Sequence, residues 1–282
     1  MSKTDNIQIT RQKAELWSNH SDKNNFIQNK EFLQQHVCKF DELTLNTNHW
    51  IFSHIPKTAG TSCENYLAQM FLIQNILHIN APDLNQLPEV FSLKRQFPLF
   101  IAGHHPMHGL LYQLLPNKNF VHLTMLREPV ARVLSYYNYL RSRETHVLHT
   151  SVIKLDFDTF LQQTMVELHN GQARRLTGLL HSDEKIDDLE LFECAKTVID
   201  NCFTLVGVTE KIESFIELIE KRCGVKINRS ARKNPSKISL SLNDLSSNQL
   251  QLIQNNNTAD FMLYDYVLEK FSKIEMGVSL NP

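Results

Sequence analysis

The residues most suited to chemistry form a nine-residue stretch, residues 54–62, with the sequence His-Ile-Pro-Lys-Thr-Ala-Gly-Thr-Ser. The stretch follows an apolar run at residues 50–53 and precedes a segment with helical spacing, which predicts a strand, a tight loop and a helix. A loop at a helix N-terminus presents unpaired backbone N–H groups at the positive end of the helix dipole. Such a loop is suited to bind an anion, most often a phosphate.

The side chains of this stretch fit the same anion. Lys57 adds a mobile positive charge, Gly60 allows close approach of the backbone, and hydroxyl donors come from Thr58, Thr61 and Ser62. The pattern differs from the Walker A motif, because the lysine precedes the only glycine of the stretch. The alternative is an ordinary strand-to-helix turn, in which the hydroxyls cap the helix and Lys57 points to water.

A second group of candidates follows the strand predicted at residues 99–103. His104 comes directly after this strand, and His105 and His108 follow in a segment that contains Pro106. One histidine here could act as a general base, since imidazole titrates near neutral pH. His104 and His108 could instead bind zinc on a helix, but Pro106 predicts a turn and no carboxylate or cysteine lies nearby to complete the site. We favour His104 as the base, interpret His105 and His108 as polar loop residues, and expect no metal.

A third candidate, Arg127, ends the strand predicted at residues 120–126. A magnesium-dependent nucleotide hydrolase normally places an aspartate at such a position. A guanidinium can instead hold a phosphate through two parallel hydrogen bonds. Pro129 suits the first turn of the following helix, and Ser135 lies two turns into it, within reach of the same phosphate. The alternative is that Arg127 only ends the strand and Ser135 is a surface residue.

In this order, the loop and the segment from Arg127 to Ser135 resemble the two nucleotide-binding motifs of sulfotransferases that use 3′-phosphoadenosine 5′-phosphosulfate (PAPS). The similarity is greatest to the group around heparan sulfate 2-O-sulfotransferase and its bacterial relatives. The resemblance implies that PAPS is held by Lys57, Thr58, Ala59, Gly60, Thr61, Ser62, Arg127 and Ser135.

The implied reaction moves a sulfuryl group from PAPS to a hydroxyl of a carbohydrate, lipid or small molecule, with an amine as the less favoured acceptor. The resemblance implies that His104 is the general base, that Lys57 stabilises the leaving phosphate, and that no metal is required. Gly103-His104 matches a Gly-His pair of the family, and Ala102 replaces the first histidine of the related two-histidine pattern.

Later parts of the chain carry weaker signals of the same family. A recurring pattern of the family is matched by Asn170, Gln172, Arg174, Leu176 and Gly178. It implies that these residues, Asn170 and Arg174 above all, hold acceptor or nucleotide; a solvated helix face is the alternative. The basic run at residues 221–237 corresponds to a loop that closes over the nucleotide in relatives, through Arg232 or Lys233, unless it is simply a hydrated loop. Two other functions stay open here: a P-loop kinase or NTPase, and a nucleotide-binding protein without catalysis.

Bulk properties limit the class of protein. The 282 residues carry a net charge of −1, which argues against a basic nucleic-acid binder. The five cysteines include no Cys-x-x-Cys pair, which indicates reduced thiols rather than a disulfide framework. No apolar run approaches the ~20 residues of a membrane span. From these features and an N-terminus without an apolar segment, we expect a cytoplasmic enzyme; the oligomeric state and the acceptor are not predicted.

The order of predicted elements indicates an α/β fold. The resemblance implies one domain with a central, mostly parallel sheet flanked by helices, like that of P-loop nucleotide-binding proteins. We expect residues 1–48 to form an N-terminal helical extension packed on the domain and residues 49–282 to form the sulfotransferase domain.

Overall fold

A five-stranded parallel sheet forms the centre of the structure, a computed structural model that describes residues 23–45, 48–79, 98–104, 119–179, 186–229 and 240–278. Its strands are β1 (His49–Ser53), β2 (Ile76–His78), β3 (Phe100–Gly103), β4 (Phe120–Leu126) and β5 (Leu205–Val208). They lie in the order β2-β3-β1-β4-β5, and every pair is parallel. The predicted α/β fold with a parallel sheet is therefore confirmed.

The central strands are apolar because both of their faces are covered. All five residues of β1 and all seven of β4 are buried. Side chains alternate between the faces: Ile51 belongs to one apolar cluster, whereas Trp50 and Phe52 belong to another on the opposite face. The sheet therefore provides a rigid, dry support for the loops at its ends.

Ten α-helices lie in the described part of the chain. They are α1 (Lys23–His36), α2 (Gly60–Ala68), α3 (Pro129–Ser142), α4 (His149–Val152), α5 (Phe157–Leu161), α6 (Gly171–Thr177), α7 (Asp188–Cys202), α8 (Ile212–Cys223), α9 (Ser247–Asn256) and α10 (Thr258–Glu275). No helix in these ranges is both long and apolar enough to cross a membrane.

Most predicted elements within the described residues are found, with two differences. Strand β2 was not predicted, because its three residues are too short to give a period-2 pattern. The sequence pattern is helical throughout residues 156–202, but the structure has a 3₁₀ turn at Val166–Leu168 between α5 and α6. The sequence also predicts a short helix that starts after Asp83 and runs to Leu93, and this segment lies outside the described residues. The same holds for His105, His108, Arg232 and Lys233.

The N-terminal helix α1 packs onto the sheet domain. Its Leu33 is fully buried in the apolar cluster on one face of the sheet. Shortly after the helix, the Cys38 N–H donates to the carbonyl oxygen of Phe120 on β4 at 2.7 Å. The division into residues 1–48 and residues 49–282 stays a prediction.

The carboxyl ends of β1, β3, β4 and β5 lie at one edge of the sheet, because all of these strands run in the same direction. Strands β2 and β3 lie on one side of β1, and β4 and β5 lie on the other, so the strand order changes direction at β1. Open α/β sheets bind ligands in the crevice outside such a switch point. His54, His104 and Arg127 each follow one of these strands directly.

Candidate functional site

The loop between β1 and α2 leaves the N-terminus of α2 open to a ligand. Lys57 and Ala59 have positive φ angles of 70° and 58°, a conformation that costs non-glycine residues about 1–2 kcal/mol. Ala59 is the N-cap residue of α2, its side chain makes no capping hydrogen bond, and the first turn carries no acidic residue. The strained loop therefore aims backbone N–H groups at a space that suits an anion.

The hydroxyl groups of the loop divide into two kinds. Thr58 is fully buried, and its hydroxyl donates to the carbonyl oxygen of Ile55 at 2.9 Å, so it holds the loop together. Thr61 and Ser62 are exposed at the start of α2. The alternative in which these hydroxyls cap the helix is not what the structure has, since α2 lacks a side-chain cap.

Gly60 is required by its contact with His54. A Cβ atom at residue 60 would lie only 2.0 Å from Cδ2 of the His54 imidazole. The φ angle of Gly60 is not positive, so the backbone conformation does not require a glycine. Glycine is needed here because the His54 ring lies so close to the backbone. The sequence predicts a close approach to the backbone at Gly60, and in the structure the His54 side chain makes it.

Lys57 and Arg127 lie side by side although they are seventy residues apart. The Arg127 guanidinium donates from Nη1 to the backbone oxygen of Lys57 at 3.3 Å. The Lys57 ammonium lies 4.0 Å from the ring centroid of Tyr139 on α3. Burial and the positive charge of Arg127 lower the pKa of Lys57 to about 8. The loops after β1 and β4 therefore bring two positively charged residues together at one edge of the sheet.

Arg127 is held through its backbone, which leaves the guanidinium for other contacts. The Gln172 side chain accepts from the Arg127 N–H and donates to the Arg127 carbonyl oxygen, both at 2.9 Å. Arg127 Nε is buried and finds no hydrogen-bond partner among the described residues. Burial lowers the pKa of Arg127, but a guanidinium keeps its charge at physiological pH. A buried donor of this kind fits an anionic ligand.

The helix after Arg127 begins differently from α2. The Glu128 carboxylate caps α3 by accepting from the N–H groups of Val130 at 3.0 Å and Ala131 at 2.7 Å, with Pro129 at the first position. The N-terminus of α3 is therefore occupied by its own chain. Ser135 is half-buried two turns into this helix, on the segment that follows Arg127.

The His104 ring is held by a hydrogen bond between one of its nitrogens and a backbone carbonyl oxygen. Its Nδ1 lies 2.8 Å from the backbone oxygen of His54, so Nδ1 carries the proton and the neutral ring has its basic lone pair on Nε2. Gly103 directly before it has a φ of 142°, and a Cβ there would lie 2.0 Å from the Ile79 oxygen. Desolvation, together with the charges of His54 and Arg175, lowers the pKa of His104, although part of its side chain is exposed. It is neutral at pH 7 and able to accept a proton.

Asn170 and Arg174 are buried, and both make contacts within the protein. The Asn170 amide donates to Asp188 at 2.7 Å and accepts from the backbone N–H of Asp260 at 3.1 Å, which joins α6, α7 and α10. Arg174 donates to the carbonyl oxygen of Leu179 at 3.3 Å. Acceptor binding by these two residues stays a prediction, and direct contact by Asn170 would require breaking its present bonds.

Two arginines in the described part of the basic run are paired with acids. Arg229 contacts Glu213, Glu217 and Glu220 of α8, and Arg222 contacts Asp41 at 2.5 Å. These arginines act within the protein.

Sequence reasoning missed two residues that shape the site, Glu64 and Tyr139. It placed His54 and Gln172 in motifs but did not predict that they hold His104 and Arg127. One signal was present, because His54 directly follows a buried strand at the edge where ligands bind. Within the described ranges, no three His, Cys, Asp or Glu side chains are grouped to hold a metal ion.

The chain is similar to curated heparan sulfate 2-O-sulfotransferases. It is 27% identical over 191 residues to heparan sulfate 2-O-sulfotransferase 1 of Homo sapiens, covering 60% of this chain and 53% of the relative. The corresponding protein of Gallus gallus is 28% identical over the same shares. Heparan sulfate 2-O-sulfotransferase hst-2 of Caenorhabditis elegans is 24% identical over 196 residues, or 60% of this chain and 58% of the relative. The chain thus spans about half the length of these relatives.

These relatives correct the predicted localisation. The expectation of a cytoplasmic enzyme is wrong, because the relatives are heparan sulfate sulfotransferases of the Golgi lumen. The prediction depended on reduced cysteines and on an N-terminus without an apolar segment. Neither feature determines the compartment.

The family itself follows from the match to a family model. Residues 41–267 match the model described as the sulfotransferase family. This range includes the loop after β1, His104, Arg127 and the helices that hold them. The resemblance found in the sequence is confirmed, and the chain belongs to the sulfotransferase family.

Proposed function

We propose that this chain transfers a sulfuryl group from PAPS to a hydroxyl group of a carbohydrate acceptor. The observation that carries the proposal is the meeting of Lys57 and Arg127, whose contact of 3.3 Å lies beside the uncapped N-terminus of α2. The names of the curated relatives, which are heparan sulfate 2-O-sulfotransferases, support a carbohydrate hydroxyl over a lipid, a small molecule or an amine.

The two cations would hold opposite ends of the donor. The loop at residues 57–62 offers N–H groups and Lys57 to the 5′-phosphosulfate, together with the exposed hydroxyls of Thr61 and Ser62. Arg127 and Ser135 would hold the 3′-phosphate through side chains, since the Glu128 carboxylate already occupies the N-terminus of α3. Gln172 keeps the Arg127 backbone in place for this contact.

His104 would accept the proton of the acceptor hydroxyl at Nε2. The acceptor oxygen then forms a bond to sulfur as the bond from sulfur to the phosphate oxygen breaks, and the proton ends on His104. Lys57 and the loop N–H groups neutralise the charge that grows on the departing phosphate oxygen. The neutral, Nδ1-protonated ring of His104 has the form that a general base requires.

The proposed chemistry does not route a step through a metal ion. A sulfuryl group carries less negative charge than a phosphoryl group, so fixed cations and N–H groups suffice where phosphoryl transfer recruits Mg²⁺. Arg127 stands where a metal-binding aspartate would otherwise end β4. EDTA is therefore expected to leave the rate unchanged.

The test is transfer of label from [³⁵S]PAPS to a panel of polysaccharides that includes unsulfated heparan chains. Lys57→Ala should reduce turnover by roughly 10²–10³-fold and His104→Ala by roughly 10²–10⁴-fold. Lys154→Ala, at an exposed lysine outside the site, is the matched control and should retain full activity. Stabilisation by ATP but not by PAPS would favour a kinase, and PAPS binding without transfer to any acceptor would favour a non-catalytic protein; both results contradict the proposal.

A further inference from the structure

A buried carboxylate next to the site has no role in the function proposed above. Glu64 lies on α2, one turn after its start, and its side chain is about nine-tenths buried. Its Oε1 lies 2.8 Å from Nδ1 of His54, and its Oε2 lies 3.7 Å from Nδ1 of His78. The carboxylate therefore stands between two histidines beneath the loop after β1.

The carboxylate is incompletely satisfied. Despite the short distance to His54, Glu64 Oε1 accepts no well-aligned hydrogen bond from any described residue. Leaving a buried charged acceptor in this state lowers the stability of the protein. An apolar side chain on the same helix would avoid this cost, which suggests that the charge is retained for function.

His54 connects this carboxylate to His104. The two imidazole rings pack with centroids 4.3 Å apart, and the backbone oxygen of His54 is the acceptor for His104 Nδ1. The His54 N–H in turn donates to the carbonyl oxygen of Gly103 at 3.0 Å. Since Gly60 lies against the His54 ring, the ring is packed between α2 and His104.

We propose that Glu64 and His54 are positioning residues for His104, and that the Glu64 carboxylate holds the His54 imidazole against the His104 ring so that Nε2 faces the acceptor. The proposal deepens the function above, because it rests on His104 acting as the general base. Neither residue is assigned a bond to the donor or to the acceptor.

The surrounding charges give the direction of the effect. His104 is faced by His54 from the loop after β1, by Glu64 from α2 and by Arg175 from α6. Burial is the largest cause that lowers the pKa of His104, and the charges of His54 and Arg175 lower it too. The hydrogen bond to the His54 backbone oxygen and the charge of Glu64 raise it. Replacing Glu64 by a neutral isostere should therefore lower the pKa of His104 further and make the ring a weaker base.

The experiment compares wild type with Glu64→Gln by the pH dependence of kcat and by NMR titration of the His104 imidazole. We expect the acid limb and the NMR titration to move to lower pH, with kcat reduced roughly tenfold and the KM for PAPS within about twofold. Glu64→Asp keeps the charge and should restore most of the loss. Equal kcat values for wild type and Glu64→Gln, with unchanged titration of His104, would overturn the proposal.

Glu220→Gln is the matched control, because Glu220 is also a buried, ion-paired carboxylate on a helix but belongs to α8 and contacts Arg229 and Ile227. It should alter stability without moving the His104 titration. Should both Glu64 variants fail to fold, the His104 tautomer in the wild type decides: a proton on Nε2 instead of Nδ1 contradicts the proposal. If His104→Ala retains full transfer, the proposed function fails instead. The NMR titration of His104, compared between the wild type and Glu64→Gln, then still tests whether Glu64 acts on the His104 imidazole.

Discussion

Two helices begin at the same edge of the sheet, and their N-termini differ in what occupies them. Helix α2 starts after two residues with positive φ and has neither a side-chain cap nor an acid in its first turn. Helix α3 starts after Glu128, whose carboxylate accepts from two backbone N–H groups of the first turn. One N-terminus is open to an outside anion, and the other is satisfied by its own chain.

The difference shows how the two halves of a bisphosphate ligand would be held. At α2 the backbone itself supplies the donors, at the cost of a strained loop. At α3 the donors must come from side chains, and Arg127 has a buried Nε that no described residue satisfies. The loop after β1 thus suits a group on which charge grows during reaction, whereas Arg127 suits a phosphate that only anchors the ligand.

The difference between the two helix N-termini should be lost most completely when a carboxylate is introduced at the start of α2. Ala59→Asp adds a negative charge at the open N-terminus, and aspartate tolerates the left-handed backbone of this position better than most residues. We expect the affinity for 3′-phosphoadenosine 5′-phosphate (PAP) to fall by roughly 100-fold, because like charges would face each other at this N-terminus. Calorimetric titration with PAP measures the loss, and circular dichroism confirms that the protein is folded.

The matched change at the other helix is Glu128→Ala. It removes a cap and should destabilise the protein by about 1 kcal/mol in urea unfolding. The affinity for PAP should change by at most about fivefold. If the two variants weaken PAP binding equally, the distinction between the open and the occupied N-terminus is wrong.

The pH dependence of binding sharpens the comparison with a smaller effect. The pKa of Lys57 is lowered to about 8 in the free protein, so Lys57 is charged below this pH and loses its proton above it. An anion prefers the charged form, and the affinity for PAP should therefore fall by up to about tenfold per pH unit above pH 8. The phosphates of PAP are already ionised in this range, with a second pKa near ~6.

Lys57→Arg provides the control for this titration, because a guanidinium stays charged throughout the range. In this variant the affinity for PAP should not change between pH 7 and pH 9.5. A level profile in the wild type would contradict the role given to Lys57.

Local sequence patterns predicted the central sheet because its strands are long apolar runs. Strand β4 has seven buried residues, and β1 is followed at once by a loop with a distinctive composition. Strand β2 has only three residues, and its place at the edge next to β3 depends on pairing that no local pattern encodes. The resemblance, rather than periodicity, supplied the arrangement of the sheet.

The residues of the site were predictable where they follow a strand directly, as Lys57, His104 and Arg127 do within a few residues. The residues that hold these side chains in place were not predictable from the sequence. Gln172 meets Arg127 across 45 residues, and Glu64 meets His54 only because α2 turns its buried face towards β1. Such contacts depend on tertiary packing, so the sequence could suggest which residues do chemistry but not which ones hold them.

The central claim, that Lys57 and Arg127 hold opposite ends of one bisphosphate, is tested most directly by calorimetric titration with PAP and with adenosine 5′-phosphate, which lacks the 3′-phosphate. Arg127→Gln should reduce the preference for PAP by about 10–100-fold, since it removes charge-assisted bonds to the 3′-phosphate alone. Lys57→Ala should weaken both ligands alike and keep the preference. A preference that survives Arg127→Gln, or one that disappears in Lys57→Ala, would contradict the account.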